Sequence, residues 1–179
     1  MQGAGAYAIA RGRSCCPIAI ACSRQGCANL QASSAEAVAR GAYVLSSPPP
    51  GEAAQLVLVG SGSEVQLLVA ALPALGDLRV QLVSMPSWEL FDAQPTAYRL
   101  SVFPPAAACL AVEALAAEGW AKYAPSVIGM RSFGASGPAK EVQKHFGFTV
   151  DNVVAKAREL LAFYEEHPLP CLLRRPDNL

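Results

Sequence analysis

Between residues 52 and 166, short apolar runs alternate with stretches in which apolar positions recur every three or four residues. The uninterrupted runs predict strands buried on both faces of a parallel sheet, and the recurrent stretches predict helices that cover it. The sequence therefore predicts an α/β fold, with a mostly parallel sheet and helices on both faces. The predicted strands are Leu56 to Val59, Leu78 to Val83, Cys109 to Val112 and Val127 to Met130.

Capping residues and prolines set the limits of the predicted helices. Ser63 is the predicted N-cap of a helix that Pro73 ends or kinks. A helical region over residues 87–100 is broken at Pro95, and the last helix begins near Thr149.

The N-terminal part of the chain is less regular. Small residues predict a helix over residues 4–10, and a β-rich stretch predicts a strand from Ile18 to Cys22. One helix and one strand form only a partial α/β segment, which is too small to fold alone. The run SSPPPG at residues 46–51 predicts a linker or a surface loop, because consecutive prolines join neither a helix nor a central strand.

Charge and cysteine content exclude several classes of protein. Fourteen basic and fourteen acidic residues cancel, which argues against a nucleic-acid or anionic-membrane partner held by charge. The six cysteines show no zinc or disulfide spacing, and free thiols favour a reducing compartment, so we expect a cytoplasmic protein. Arg11 and Arg13 interrupt the only candidate for a signal peptide, and no run approaches the roughly 18 apolar residues of a membrane span.

Few residues suggest chemistry by themselves. The turn at residues 60–63, Gly-Ser-Gly-Ser, could meet a phosphate, but it lacks the remainder of a nucleotide motif and favours a plain βα turn. His145 and His167 have no partner in a recognisable nucleophile motif. Glu113 ends a buried strand, where open α/β sheets place ligands, although a structural carboxylate is the better interpretation.

Arg24 has two interpretations that the residues alone leave open. It follows the predicted strand at residues 18–22, where a guanidinium is well placed to hold a carboxylate or a phosphate. A surface arginine whose stem covers apolar residues fits the same pattern equally well.

Several segments resemble, in the same order, the C-terminal domain of the transketolase family and the end of the domain before it. The resemblance covers about residues 6–166. Its segments are CSRQ at residues 22–25, GAYVL at 41–45, VQLVSMPSWELFDAQ at 80–94, YR at 98–99, SVFP at 101–104, GMRSFGASGPA at 129–139 and FGFTVDNVVAK at 146–156.

The resemblance implies both a function and a domain plan. Transketolases transfer a two-carbon ketol unit between sugar phosphates of the pentose phosphate pathway, as homodimers that use thiamine diphosphate and a divalent cation, Mg or Ca. The implied plan is a remnant of the pyrimidine-binding domain at 1–30, a linker at 31–51, the C-terminal domain at 52–166 and a loose tail at 167–179.

Only one functional residue of the family carries over to this sequence. The metal-binding GDG motif, the catalytic histidines and the cofactor-contacting glutamate have no counterpart, so we expect no catalytic, cofactor-binding or metal-binding residue. Arg24 matches the arginine that grips the sugar phosphate. The chain alone is therefore expected to be non-catalytic, without bound cofactor, and to serve folding and dimer contacts.

Two alternatives remain at this point. One is the last domain of another thiamine-diphosphate enzyme, a dihydroxyacetone synthase or a deoxyxylulose-phosphate synthase. The other is a freestanding, non-catalytic binding or regulatory module. Departures from the family pattern include Ala42 and Leu115, which stand where the family usually has glycine.

Overall fold

A computed structural model describes residues 2–13, 17–23 and 26–169 of the chain. The strands are β1 (Tyr43–Ser46), β2 (Leu56–Gly60), β3 (Val80–Ser84), β4 (Ala108–Ala116) and β5 (Ser126–Met130). They form one sheet of order β1-β3-β2-β4-β5. β1 is antiparallel to β3, and the other neighbouring strands are parallel to each other.

Helices connect the strands and flank the sheet. They are α1 (Gln2–Gly12), α2 (Ala35–Ala39), α3 (Glu64–Ala71), α4 (Trp88–Asp92), α5 (Thr96–Val102), α6 (Ala139–His145) and α7 (Val150–Glu166), with short 3₁₀ helices at Leu72–Leu75 and Glu118–Lys122. Within the described ranges, no helix is long and apolar enough to cross a membrane.

The sheet separates two apolar clusters because successive side chains of a strand point to opposite faces. Val57 and Val59 of β2 join a cluster with the aromatic residues of α4 and of the 3₁₀ helix at Glu118–Lys122. Leu56 and Leu58 of the same strand join a second cluster, which contains side chains of α3 and α7. All four β2 side chains are almost completely buried. The predicted α/β class, a mostly parallel sheet covered on both faces, is confirmed.

Most of the predicted elements form within a few residues of their expected limits. The predicted breaks are present too, because Pro73 opens a 3₁₀ turn after α3 and Pro95 separates α4 from α5. Thr149 caps α7 by accepting a hydrogen bond from the backbone N–H of Asn152. Ser63 occupies the N-cap position of α3, but its hydroxyl makes no capping bond to the helix backbone.

The predicted strand from Ile18 to Cys22 is wrong. Residues 17–23 are irregular backbone and most of their side chains are exposed. A strand is stable only when a neighbour satisfies its N–H and C=O groups. No strand of the described chain pairs with this segment, so its backbone has no neighbouring strand with which to form sheet hydrogen bonds.

β1 lies within residues 31–51, which were expected to be a linker. It adds an antiparallel edge to the sheet through the register pairs Tyr43 with Ser84 and Val44 with Val83. α1 reaches the same edge, because the side-chain amide of Gln2 donates to the Tyr43 hydroxyl at 2.9 Å and to Ser84 Oγ at 2.7 Å. The domain boundaries themselves stay a prediction.

Candidate functional site

The order of the strands creates a switch point between β2 and β4. From β2 the chain moves to β3 on one side, and from β3 it crosses back to β4 on the other side. The connections that leave the carboxyl ends of β2 and β4 therefore diverge. In open α/β sheets the crevice at such a point is the usual place for a ligand.

Ser61 and Glu113 meet at this switch point. Ser61 directly follows β2, and its hydroxyl donates to Glu113 Oε2 at 2.5 Å. Glu113 lies on β4 and is only 6% exposed. Gly60 allows the two strands to approach, because a side chain there would place its Cβ 2.8 Å from the carbonyl oxygen of Val112.

The environment of Glu113 changes its acidity. Burial raises the pKa of this carboxyl to about 7, and the negative charge of Glu64 acts in the same direction. The hydrogen bond from Ser61 opposes both effects and is weaker than the burial. With this pKa, the Glu113 carboxyl gains or loses its proton near neutral pH.

Glu64 brings a second carboxyl to the first turn of α3. Its Oε1 accepts a hydrogen bond from the Ser63 hydroxyl at 2.9 Å. Glu64 and Ser63 also line a shallow cleft between α3 and α6, together with Gln66, Gln143 and Phe148. Two carboxyls of the chain itself thus face the turn at residues 60–63, an unfavourable environment for a phosphate. Residues 61–63 join β2 to α3, as the predicted βα turn requires.

The other candidates from the sequence lie elsewhere. His145 ends α6 and its ring packs edge-on against Phe146, with 4.8 Å between the ring centroids. His167 follows α7, and its ring packs edge-on against Phe163 with 4.2 Å between the ring centroids. Arg24 lies outside the described residues, so its role stays a prediction.

A divalent cation would need several oxygen or nitrogen ligands close together. In the described part of the chain, no group of three or more histidine, cysteine, aspartate or glutamate residues could hold one. Glu113 and Glu64 make only a pair. The described residues therefore bring no such set of ligands together.

The pairing of Ser61 with Glu113 is the feature that sequence reasoning missed. Each residue was noted separately at the end of an apolar strand, 52 positions apart along the chain. Their contact depends on β2 and β4 being neighbours, and the sequence predicts strands without their spatial order. Two polar residues at the ends of two separate buried strands, with a third strand between them in the chain, were the available signal.

The family described as the transketolase-like TK C-terminal domain matches residues 41–149. The chain belongs to this family. The resemblance inferred from the sequence motifs is thereby confirmed. The match contains all five strands of the sheet and both carboxyls at the switch point.

Curated relatives and solved structures agree with the family. Transketolase 1 of Saccharomyces cerevisiae is 41% identical over 161 residues, which are 89% of this chain and 23% of the relative. Transketolase 1 of Escherichia coli is 45% identical over 153 residues, 81% of this chain and 23% of that protein. A crystal structure of a transketolase H261F mutant from Pichia stipitis superposes with a TM-score of 0.90 at 35% identity, covering 97% of this chain and 26% of that chain. This chain thus spans about a quarter of the length of the transketolases it matches.

Proposed function

We propose that this chain is the C-terminal part of a transketolase, which transfers a two-carbon ketol unit between sugar phosphates. The main observation that supports this proposal is the family match over residues 41–149. A transketolase from Pichia stipitis in complex with sedoheptulose 7-phosphate superposes with the same TM-score of 0.90 over 97% of this chain, which supports sugar phosphates as substrates of the whole enzyme. The relatives reported above are transketolases, which favours this branch over the two synthases.

In this proposal the chain alone is non-catalytic. Thiamine diphosphate supplies the carbanion chemistry of ketol transfer and is held with its divalent cation by domains that precede this region in the family. The described residues of this chain bring no matching set of cation ligands together. Their contribution is to complete the fold of a larger enzyme.

Exposed apolar side chains support a contact role within such an enzyme. Phe133 is 98% exposed in the loop after β5, and Leu115 is 68% exposed near the end of β4. β4 and β5 are neighbours, and both side chains lie toward the carboxyl edge of the sheet. Burial of a phenylalanine or leucine side chain stabilises a contact by about 1.5–3 kcal/mol. We therefore assign this edge to contacts with other parts of a dimeric enzyme.

Arg24 is proposed to hold the phosphate of the sugar substrate in the whole enzyme. The support is the CSRQ segment at residues 22–25, which matches the family. The position of Arg24 after a predicted strand no longer supports this role, because residues 17–23 form no strand. A guanidinium suits a phosphate because its planar N–H groups form two parallel, charge-assisted hydrogen bonds.

A titration and a chimaera test the proposed function. Calorimetric titration of the chain with thiamine diphosphate and Mg²⁺ is expected to show no binding, and a stoichiometric micromolar isotherm would contradict the non-catalytic role. In the chimaera, this chain replaces the matching region of Saccharomyces cerevisiae transketolase 1, and ketol transfer is expected to persist. A folded, dimeric chimaera without activity would contradict the assignment to a transketolase.

Kinetics of the same chimaera test Arg24. Arg24→Ala is expected to reduce kcat/KM for phosphorylated acceptors by roughly ten- to hundredfold, since a charge-assisted hydrogen bond contributes about 1.5–3 kcal/mol. Unphosphorylated acceptors and thiamine diphosphate affinity should change little. Arg24→Lys should recover part of the loss, because an ammonium group lacks the planar two-pronged geometry. An equal loss for both kinds of acceptor would show that Arg24 does not hold the phosphate.

A further inference from the structure

The side-chain amide of Gln66 binds the backbone of a distant segment from its place on α3. Its Nε2 donates to the carbonyl oxygen of Gly26 at 3.4 Å, and its Oε1 accepts from the backbone N–H of Ala28 at 3.2 Å. The two bonds join residues that lie 40 and 38 positions apart along the chain. One amide thus uses both a donor and an acceptor on the same short stretch of backbone, residues 26–28.

These bonds matter because burial does not hold residues 26–28. All three residues are exposed, and nothing lies within 4 Å of the position that a Cβ of Gly26 would take. α3, in contrast, is packed firmly on the sheet, since its side chains Val65 and Leu68 are almost completely buried. Gln66 therefore connects an exposed stretch of backbone to a well-packed helix.

The segment that Gln66 holds begins two residues after Arg24 in the sequence. A contact of 3.4 Å between Ser23 Oγ and Cys27 Sγ also joins the chain on the two sides of that arginine. Cys27 lies between the two backbone groups that Gln66 binds. The described residues that flank Arg24 are therefore connected to each other and to α3.

We propose that Gln66 is a positioning residue for Arg24 and sets where the guanidinium meets the phosphate of the sugar substrate. The inference rests on the proposed function, since it takes Arg24 as the phosphate-binding residue. Two parallel hydrogen bonds to a phosphate require the plane of the guanidinium to be correctly placed. A segment that moves freely loses conformational entropy when it binds a ligand, and a segment already held by Gln66 loses less. Gln66 thus improves the binding of phosphorylated substrates through Arg24.

Hydrogen exchange on the full chain tests whether Gln66 holds this segment. Gln66→Met keeps the length and the helix preference of the side chain and removes both hydrogen bonds. The Ala28 amide, followed by NMR, should exchange roughly fivefold faster in this variant, which is the factor expected for one net hydrogen bond. Gln143→Met is the matched control, because the exposed Gln143 lines the same cleft from α6 and should leave Ala28 unchanged. Unchanged exchange of Ala28 in a folded Gln66→Met variant would overturn the proposal.

Kinetics of the chimaera described above test whether Gln66 acts through Arg24. Gln66→Met should raise KM for phosphorylated acceptors by roughly three- to tenfold, while kcat and the kinetics of unphosphorylated acceptors change by less than about twofold. In an Arg24→Ala background the same substitution should add almost nothing, because the effects of two residues that act on one contact are not additive. A merely structural role would lower activity equally for both kinds of acceptor and in both backgrounds, which would overturn the proposal.

The outcomes separate the role of Gln66 from the proposed function. A folded, dimeric chimaera without activity would contradict the assignment to a transketolase and the role of Gln66 together. An active chimaera in which Arg24→Ala shows no selective loss for phosphorylated acceptors would contradict the roles of Arg24 and Gln66 but not that assignment. An active chimaera in which Arg24→Ala does show this loss, while Gln66→Met behaves like Gln143→Met, would overturn the role of Gln66 alone.

Discussion

The N-terminal segment and the sheet region are held together by different forces, although alanine and other small residues are frequent in both. In the sheet region, residues 41–166, two apolar clusters occupy the two faces of five paired strands. In the N-terminal segment, residues 2–34, α1 attaches through the Gln2 amide and through Gly5, which packs closely on Val38. The rest of the described segment up to residue 32 is largely exposed.

This difference shows why similar composition does not give similar stability. Each buried apolar side chain of the sheet region contributes about 1.5–3 kcal/mol, and the contributions of many such residues accumulate in one cooperative unit. A side-chain hydrogen bond contributes a net of only about 1 kcal/mol. We therefore expect the sheet region to unfold as a whole and the N-terminal segment to detach from it in a local opening.

The largest effect is expected at Gly41, where the two regions join. Gly41 has a φ of +82°, and a Cβ there would lie 2.2 Å from the backbone nitrogen of Phe91 and 2.4 Å from the carbonyl oxygen of Ser87. Relief of these overlaps requires α4 to move away from the start of β1. We expect Gly41→Ala to cost about 4 kcal/mol or more and to leave little folded protein, measured by urea unfolding and circular dichroism.

Gly51→Ala is the matched control. Gly51 also has a positive φ, +90°, but nothing lies within 4 Å of the Cβ position. Only the backbone strain remains, so the expected cost is about 1 kcal/mol. Equal effects of the two substitutions would show that backbone conformation alone, and not the close approach of α4, fixes this junction.

A smaller but still large effect is expected inside the sheet. Leu110 and Leu115 are both leucines of β4, yet Leu110 is completely buried and Leu115 is 68% exposed. Leu110→Ala should lower the free energy of unfolding by about 3 kcal/mol through lost burial and a residual cavity. Leu115→Ala should change it by less than about 0.5 kcal/mol in the isolated chain. Denaturant unfolding of both variants checks the contrast, and comparable losses would contradict the assignment of the core.

The sequence predicts the interior of the sheet region well because burial determines its pattern. The runs at residues 56–59 and 109–112 are apolar at every position, as strands covered on both faces require, and both form. Caps and breaks such as Thr149 and Pro73 depend on the chemistry of a few adjacent residues, which the sequence shows directly.

Elements that depend on distant partners could not be predicted in the same way. Tyr43–Ser46 becomes a strand because β3 offers it an edge, whereas residues 18–22 have a similar β-rich composition and find no partner. The contact between Ser61 and Glu113 likewise requires the order of the strands, which local patterns do not encode. Arg24 was selected through family resemblance and stays a prediction.

The smallest effect is expected where the N-terminal segment meets the sheet edge. The Tyr43 hydroxyl accepts from Gln2 at 2.9 Å and shares a hydrogen bond of 2.8 Å with the buried Ser33 hydroxyl. Tyr43→Phe keeps the ring and removes these two hydrogen bonds, while Gln2 can still donate to Ser84. The expected cost is about 1 kcal/mol, which corresponds to roughly fivefold faster hydrogen exchange in α1.

Hydrogen exchange followed by mass spectrometry distinguishes local release from general loss of stability. Peptides of α1 should lose protection in Tyr43→Phe, while peptides of β2 and β4 should keep it. Tyr7→Phe is the control within the same helix, because Tyr7 is 64% exposed. If α1 and the central strands lose protection together, the N-terminal segment belongs to the same cooperative unit as the sheet. The two regions would then differ in their contacts and not in their stability, because opening of one would require opening of the other.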